Sequence, residues 1–263
     1  MFDQQTKRSV TITFLGTGTS QGVPVIACNC PVCLSTDKKD KRLRSSILIE
    51  VAGKVLIVDT GPDFRYQMLR EKVAHLDAVL FTHEHKDHIA GLDDIRAFNF
   101  KQRAAIPVYA SERVIRALER EFFYIFSDFA YPGIPQIHVH AITNDAFTIE
   151  GDIEIQPIEV QHFKLPVMGF RIDDFTYITD AKTVSESEFK KIAGTRILVI
   201  NALQRENHIS HFTLSEAIAF AQKAGAQQTY FTHISHRLGF HSDVSEELPD
   251  GISLAYDGLK ITL

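Results

Sequence analysis

The segment Phe81-Thr82-His83-Glu84-His85-Lys86-Asp87-His88 places three imidazoles and two carboxylates within eight residues, directly after the apolar run Ala78-Val79-Leu80-Phe81. Imidazole nitrogen and carboxylate oxygen suit divalent zinc, manganese or iron, and no thiol lies in the cluster to select a softer metal. His83 and His85, two apart, fall on one side of an extended segment, whereas the adjacent Asp87 and His88 diverge. One metal is therefore expected at the first pair and another at the second.

A second cluster is made of sulfur. Cys28, Cys30 and Cys33 are the chain's three cysteines and fall within six residues. That spacing suits a thiolate cage for a structural zinc loop at 28–33, completed by a fourth ligand. Free thiols are the alternative. Since no fourth cysteine exists, a histidine is the expected fourth donor.

The elements around these residues read as alternating strands and helices. Val10–Leu15 alternates as a strand into the glycine-rich turn Gly16-Thr17-Gly18-Thr19-Ser20-Gln21-Gly22. That turn either cradles a phosphate or lets backbones approach closely beneath a site. Ile47–Val51 and Val55–Asp59 flank Ala52-Gly53-Lys54 as a hairpin. The following helix is expected to carry Phe64, Met68 and Leu69 on one face. Asp59, at a strand end, either orients a metal-binding histidine or caps that helix. After the histidine-rich segment, a helix is expected from Ile89 to Lys101, then a strand Ile106–Ala110 and a helix capped by Ser111. Phe122, Phe123, Tyr124, Phe126, Phe129 and Tyr131 crowd the segment 121–135, as core or as a wall and lid over a pocket.

The second half turns to strands from Ile137. His138 and His140 sit in alternating positions and read as surface or packed residues. His162 and Asp180 each end an apolar strand, where a side chain reaches a site built from loops. A β/α rhythm follows: a helix Ser185–Ala193, a strand Arg196–Ala202, a helix Leu214–Ala224 before Gly225, and a strand Thr229–Thr232 leading into His233-Ile234-Ser235-His236. Two such halves make one domain over residues 1–263, an α/β four-layer αββα sandwich.

The HxHxDH segment resembles the signature of the metallo-β-lactamase superfamily. The early GTGTSQGVP, the CNCPVC cluster, FTHEHKDHIAGL, NHISHFTL and FTHISH together resemble PhnP-type phosphodiesterases, which cleave cyclic phosphodiesters. The resemblance covers nearly the whole chain and departs in the aromatic segment 121–135. It implies His83, His85 and His162 for one catalytic metal, Asp87, His88 and His233 for the other, and Asp180 between them. It also implies His236 as the ligand closing the cysteine cage, and Asp87 and His211 as catalytic residues. His211 would touch the phosphate or give a proton to the leaving oxygen, as an unperturbed imidazole does near neutral pH.

The implied activity is hydrolysis of a small, cyclic ribosyl or other phosphodiester by a hydroxide shared between two divalent metals (zinc, manganese or iron), with one structural zinc. A ribonuclease Z-like RNA phosphodiesterase and a non-catalytic metal-binding scaffold are the alternatives.

Composition bounds the partners. A formal net charge of −5 disfavours a dedicated polynucleotide binder. The run Lys38-Lys39-Asp40-Lys41-Arg42-Leu43-Arg44 reads as a solvated loop or a local positive face. No apolar run approaches the roughly 20 residues of a spanning helix, and the first residues lack a signal-peptide pattern, so a cytoplasmic protein is expected. The expected partner is a small-molecule phosphodiester, with no nucleic-acid partner and no membrane. A homodimer is left open.

Overall fold

Alternation within single strands separates the layers. Ile47 and Ile49 point into one apolar cluster and Leu48 into another, and Ile197 and Val199 are divided in the same way from Leu198 and Ile200. The computed structural model describes residues 8–127 and 132–263. In it these strands form two sheets packed face to face. The first half supplies β1 (Val10–Gly16), β2 (Ser46–Val51), β3 (Lys54–Val58), β4 (Ala78–Leu80), β5 (Ile106–Ala110) and β6 (Ile137–Ala141). The second supplies β7 (Phe147–Ile149), β8 (Ile153–His162), β9 (Leu165–Ile172), β10 (Phe175–Tyr177), β11 (Thr183–Val184), β12 (Ile197–Asn201), β13 (Gln228–Thr232), β14 (Ile252–Leu254) and β15 (Lys260–Thr262).

The seven-stranded sheet runs β15-β1-β2-β3-β4-β5-β6, and the eight-stranded sheet runs β11-β8-β9-β10-β12-β13-β14 with β7 against β8. Between them lies a core of Ile12, Phe14, Ile47 and Ile49 on one side and Phe170, Phe175, Tyr177 and Val199 on the other. Helices cover the two outer faces. Phe64, Phe98 and Leu118 seal the first sheet, and Ala217 and Ala221 seal the second. The four-layer α/β sandwich expected from sequence is the fold observed.

Parallel pairing aims several strand ends at one edge. β3, β4 and β5 run parallel, as do β10, β12 and β13. Their C-terminal ends lead to Asp59, to the histidine-rich segment, to Asp180 and to His233, the edge where open α/β sheets build sites. The glycine-rich turn enters the same edge by close approach. A Cβ on Gly16 would lie 1.9 Å from the Arg44 carbonyl oxygen, so only glycine fits there.

Three expectations are corrected. The helix Phe64–Glu71 buries Phe64 and Met68 but leaves Leu69 60% exposed. The expected helix 89–101 is instead a turn Lys86–Ile89, a 3-10 turn Leu92–Ile95 and a helix Arg96–Gln102. The break falls at Gly91, where a Cβ would meet the Gly61 carbonyl oxygen at 2.2 Å. The basic run is not wholly solvated. Arg42 turns inward to donate to Thr17 Oγ1 and the Ala255 carbonyl, and Arg44 pairs with Asp63 at 3.2 Å.

Ser111 caps its helix as expected, Ser185 lies just outside the helix Glu186–Ile192 as its cap rather than inside it, and Thr213 and Glu216 form a reciprocal capping box on Leu214–Ala224. His138 and His140 are exposed on β6, with the His140 ring stacked on Tyr109. In the aromatic segment Phe122 is buried and Phe123 exposed, while Phe129 and Tyr131 lie outside the described residues.

Candidate metal centre

Strand ends deliver the side chains, and several do so through strained backbone. Asp59, Asp180 and His233 have φ of +64, +55 and +54. Such left-handed conformations are disfavoured by about 1 kcal/mol each for residues with a Cβ. Strain of this kind persists where the surroundings fix it, commonly at functional sites.

Two groups of donor atoms converge. Asp87, His88, Asp180 and His233 form one, and His83, His85 and Asp180 form the other. Asp180 belongs to both because its two oxygens face opposite ways. Oδ1 lies 3.0 Å from His233 Nδ1 and 3.6 Å from His88 Nε2, while Oδ2 lies 3.7 Å from His83 Nε2. His162 stands beside both, its ring 5.2 Å from that of His85, and its donor atom clusters with Asp180 and His211.

The ring nitrogens facing away from the centre are tied down. His88 Nδ1 meets Asp59 Oδ2 at 2.7 Å, His162 Nδ1 donates to the Ser210 carbonyl at 2.9 Å, and His83 Nδ1 pairs with Thr82 Oγ1 at 3.0 Å. This fixes ring orientation in the way outer partners of metal-binding histidines do. Of the two sequence readings for Asp59, it therefore takes the orienting one. It makes no capping bond and also accepts from Thr82 N and Oγ1.

The atoms facing inward fit divalent metals. His88 Nε2, His233 Nδ1 and Asp87 Oδ2 are buried without a hydrogen-bond partner, although His88 Nε2 and Asp87 Oδ2 are only 3.1 Å apart. Donor atoms aimed at a common point rather than at each other are the arrangement a cation requires. Burial and the neighbouring His88 hold His83 neutral well below its ordinary range, and burial likewise lowers His233. His88 goes the other way. Burial opposes its charge, but Asp87, Asp180 and Asp59 outweigh that and raise it well above the usual range. The carboxylates thus call for positive charge at this point.

His211 stands over the centre from the loop before Leu214–Ala224. Its ring stacks on His233 at 4.8 Å and lies 4.4 Å from that of His162, and its Nδ1 is buried and unpartnered. It is not the unperturbed imidazole expected. Burial first, and then the surrounding histidines, lower it to about 2, so it is neutral at pH 7.

The four side chains of the sulfur cluster come together. Cys28, Cys30 and Cys33 Sγ lie 3.4, 3.2 and 3.5 Å from His236 Nδ1. A tetrahedral zinc with ordinary Zn–S and Zn–N bonds has a sulfur-to-nitrogen edge of about 3.6 Å, so four donors at this spacing fit one zinc. Burial raises the Cys30 thiol, but the Cys33 backbone N–H and His236 outweigh it and bring it to about 6, toward the thiolate a metal needs. His236 follows His233 by three residues, so one loop serves both sites.

Comparison with known proteins agrees with this geometry. Residues 54–234 match the family model described as a beta-lactamase superfamily domain. A crystal structure of a new diphosphatase from the PhnP family is 40% identical and aligns with a TM-score of 0.91 over 97% of each chain. An octanoyltransferase of Porphyromonas gingivalis is 38% identical over 248 residues, 94% of this chain but 50% of that protein. This chain thus spans half the length of that relative. Zinc-bound PqqB from Methylobacterium extorquens, 19% identical, shares the fold with a TM-score of 0.79 over 96% of this chain and 100% of that one. Strand order, converging ligands and kinship lead to one assignment: the chain belongs to the metallo-β-lactamase superfamily, within it to the PhnP family, and carries its metal-dependent hydrolase domain.

Proposed function

We propose that this domain hydrolyses a phosphoester, either a phosphodiester or a diphosphate diester, at a centre of two divalent metals. The observation that carries this reading is the divided Asp180 carboxylate, with Oδ1 toward His88 and His233 and Oδ2 toward His83. His83, His85 and His162 would hold one ion, Asp87, His88 and His233 the other, and Asp180 both. Zinc, manganese and iron all accept these ligands. A third ion, zinc, would sit among Cys28, Cys30, Cys33 and His236 in a structural role.

Bound there, a metal pair supplies a water nucleophile at neutral pH and offsets the charge that grows on phosphorus oxygens. The chain's own groups do the rest. Asp87, whose Oδ2 would meet the metal, has its second carboxylate oxygen left to accept a hydrogen bond from the attacking water and orient it. His211, neutral and stacked over His233, contributes an N–H to a phosphoryl oxygen. The octanoyltransferase name belongs to a protein twice as long as the match, and the PhnP-family relative covering the full chain is a diphosphatase. A ribonuclease Z of Mycobacterium marinum, 26% identical over 73% of this chain and 80% of that protein, makes precursor tRNA the second substrate to test.

The test is metal-loaded protein on methyl p-nitrophenyl phosphate, a cyclic phosphoribosyl ester, a dinucleoside diphosphate, lactoylglutathione, nitrocefin and precursor tRNA. Turnover of the phosphoesters that drops at least a thousandfold in His85→Ala and Asp180→Ala is expected. Preference for the thioester or the lactam, or activity surviving both substitutions, overturns the reading.

A further inference from the structure

A groove of about 410 Å³ opens beside the metal centre, with His85 and His162 on its inner side. That volume is in the range of small-molecule sites. Its outer walls are the turn between β8 and β9, Arg113 and Ile209. Phe163 and Ile209 are apolar yet 53% and 65% exposed. Phe163 is also in an unfavourable backbone position. It is one of two residues joining β8 to β9, since His162 pairs with Leu165, and its φ is +59, where hairpins ordinarily use Gly, Asn or Asp. The turn itself does not call for a bulky ring there, and the ring is left half exposed.

The groove is also basic. Lys164 Nζ stands 5.4 Å from the Phe163 ring, and Arg113 binds Glu84 Oε1 through Nε at 2.5 Å while its side chain stays 53% exposed. Arg113 and Lys164 against Glu84 alone leave the outer part of the groove with an excess of positive charge.

We propose that this groove takes the far half of a nucleotide-type diphosphate diester. The reacting phosphate would lie at the metal centre, the second phosphate against Lys164 and Arg113, and the base between Phe163 and Ile209. The inference rests on the phosphoester reading above and names the substrate class for that site. Hydrolysis adds one water across the P–O–P link and releases two phosphate monoesters, so no other reactant is required. A small cyclic phosphodiester would fill only the metal centre and leave the aromatic wall and both cations unused. Stacking on an exposed ring recognises any flat base, and a lysine beside it recognises an anion without demanding a fixed geometry.

The experiment compares metal-loaded wild type with Phe163→Gly, Lys164→Ser and, as a control on a distant face, Leu69→Ser. Glycine suits the positive φ at 163, so that variant keeps the turn. The measured quantity is the ratio of kcat/KM for a dinucleoside diphosphate to that for methyl p-nitrophenyl phosphate. A fall of tenfold or more in Phe163→Gly and in Lys164→Ser, carried by KM, is expected, with the ratio of Leu69→Ser unchanged. An unchanged ratio in both groove variants overturns the proposal. If wild type turns over neither ester, the hydrolase reading fails, and the groove is then judged by calorimetric titration with ADP. Binding weakened at least fivefold by Phe163→Gly supports the groove, and equal binding by wild type and variant overturns it.

Discussion

His88 Nδ1 rests 2.7 Å from Asp59 Oδ2, and both side chains are wholly buried. The carboxylate comes from the end of β3 and the imidazole from the turn after β4, so the pairing of these parallel strands sets the direction of a proposed metal ligand. Asp59→Asn keeps the shape and the contact with Thr82 but removes the charge facing His88. We expect affinity for the metal at Asp87, His88 and His233 to fall about 10- to 100-fold, read by competition with a chelator of known affinity. Unchanged affinity would mean that ring orientation is set by packing alone.

The cage and the catalytic centre share the loop His233-Ile234-Ser235-His236. Cys30→Ser or His236→Ala should remove one metal per chain and also weaken the catalytic metals roughly tenfold, although neither residue touches them. Elemental analysis together with metal titration separates the two effects. Loss of the cage metal with unaltered catalytic affinity would show the loop to be held by its backbone alone.

His211 is neutral and close to His162 and His233. As a hydrogen-bond donor it should be partly replaceable by an amide. His211→Ala is expected to lower kcat about tenfold or more on an ester with a poor leaving group, and His211→Gln to recover part of that loss. Equal kcat for wild type and alanine variant would remove His211 from the reaction.

Stability should carry an acid signature from a histidine outside both candidate metal clusters. Burial, and then the Arg42 guanidinium 3.1 Å from Nδ1, lower His241 to about 4. An unfolded histidine titrates near 6.5. Between pH 6.5 and 4 the unfolded chain therefore binds more protons, and stability falls as pH falls. After allowance for solvent screening this amounts to about 2 kcal/mol, fully present above pH 6.5. Going from pH 7 to pH 4.5, wild type should lose about that much more than His241→Gln in denaturant unfolding. Equal losses would place the acid sensitivity elsewhere.

What was legible in the sequence was what depends on spacing. Ile47-Leu48-Ile49 announces a strand with two covered faces, and HxHxDH after an apolar run announces ligands at a strand end. Leu69 was misplaced because it lies five residues after Phe64, roughly 140° around a helix, whereas Met68 is only about 40° away. Gly91 breaks its helix for a reason found 30 residues earlier, at the Gly61 carbonyl. Arg42 gave no local sign of burial, since Thr17, His241 and Ala255 stand 25, 199 and 213 residues away. Asp59 had two local roles open, and only its distance to His88 chose between them. The groove at Phe163 was missed as well, although an aromatic residue directly after the strand-ending His162 was a visible sign.

The sulfur cage joins residues separated by more than 200 positions, Cys28 and His236 being 208 apart. During synthesis the three thiols leave the ribosome long before the imidazole that completes their set, so the early chain presents three of the four donors. Any zinc it holds then is held by three protein ligands and is open to exchange. Ligation at His236 would close a loop spanning most of the chain, and only as β13 takes its place in the second sheet. If zinc fills the cage, its supply would thus act late in assembly, when the loop 233–236 is drawn to the three thiols, whereas β14 and β15 still have to join the two sheets.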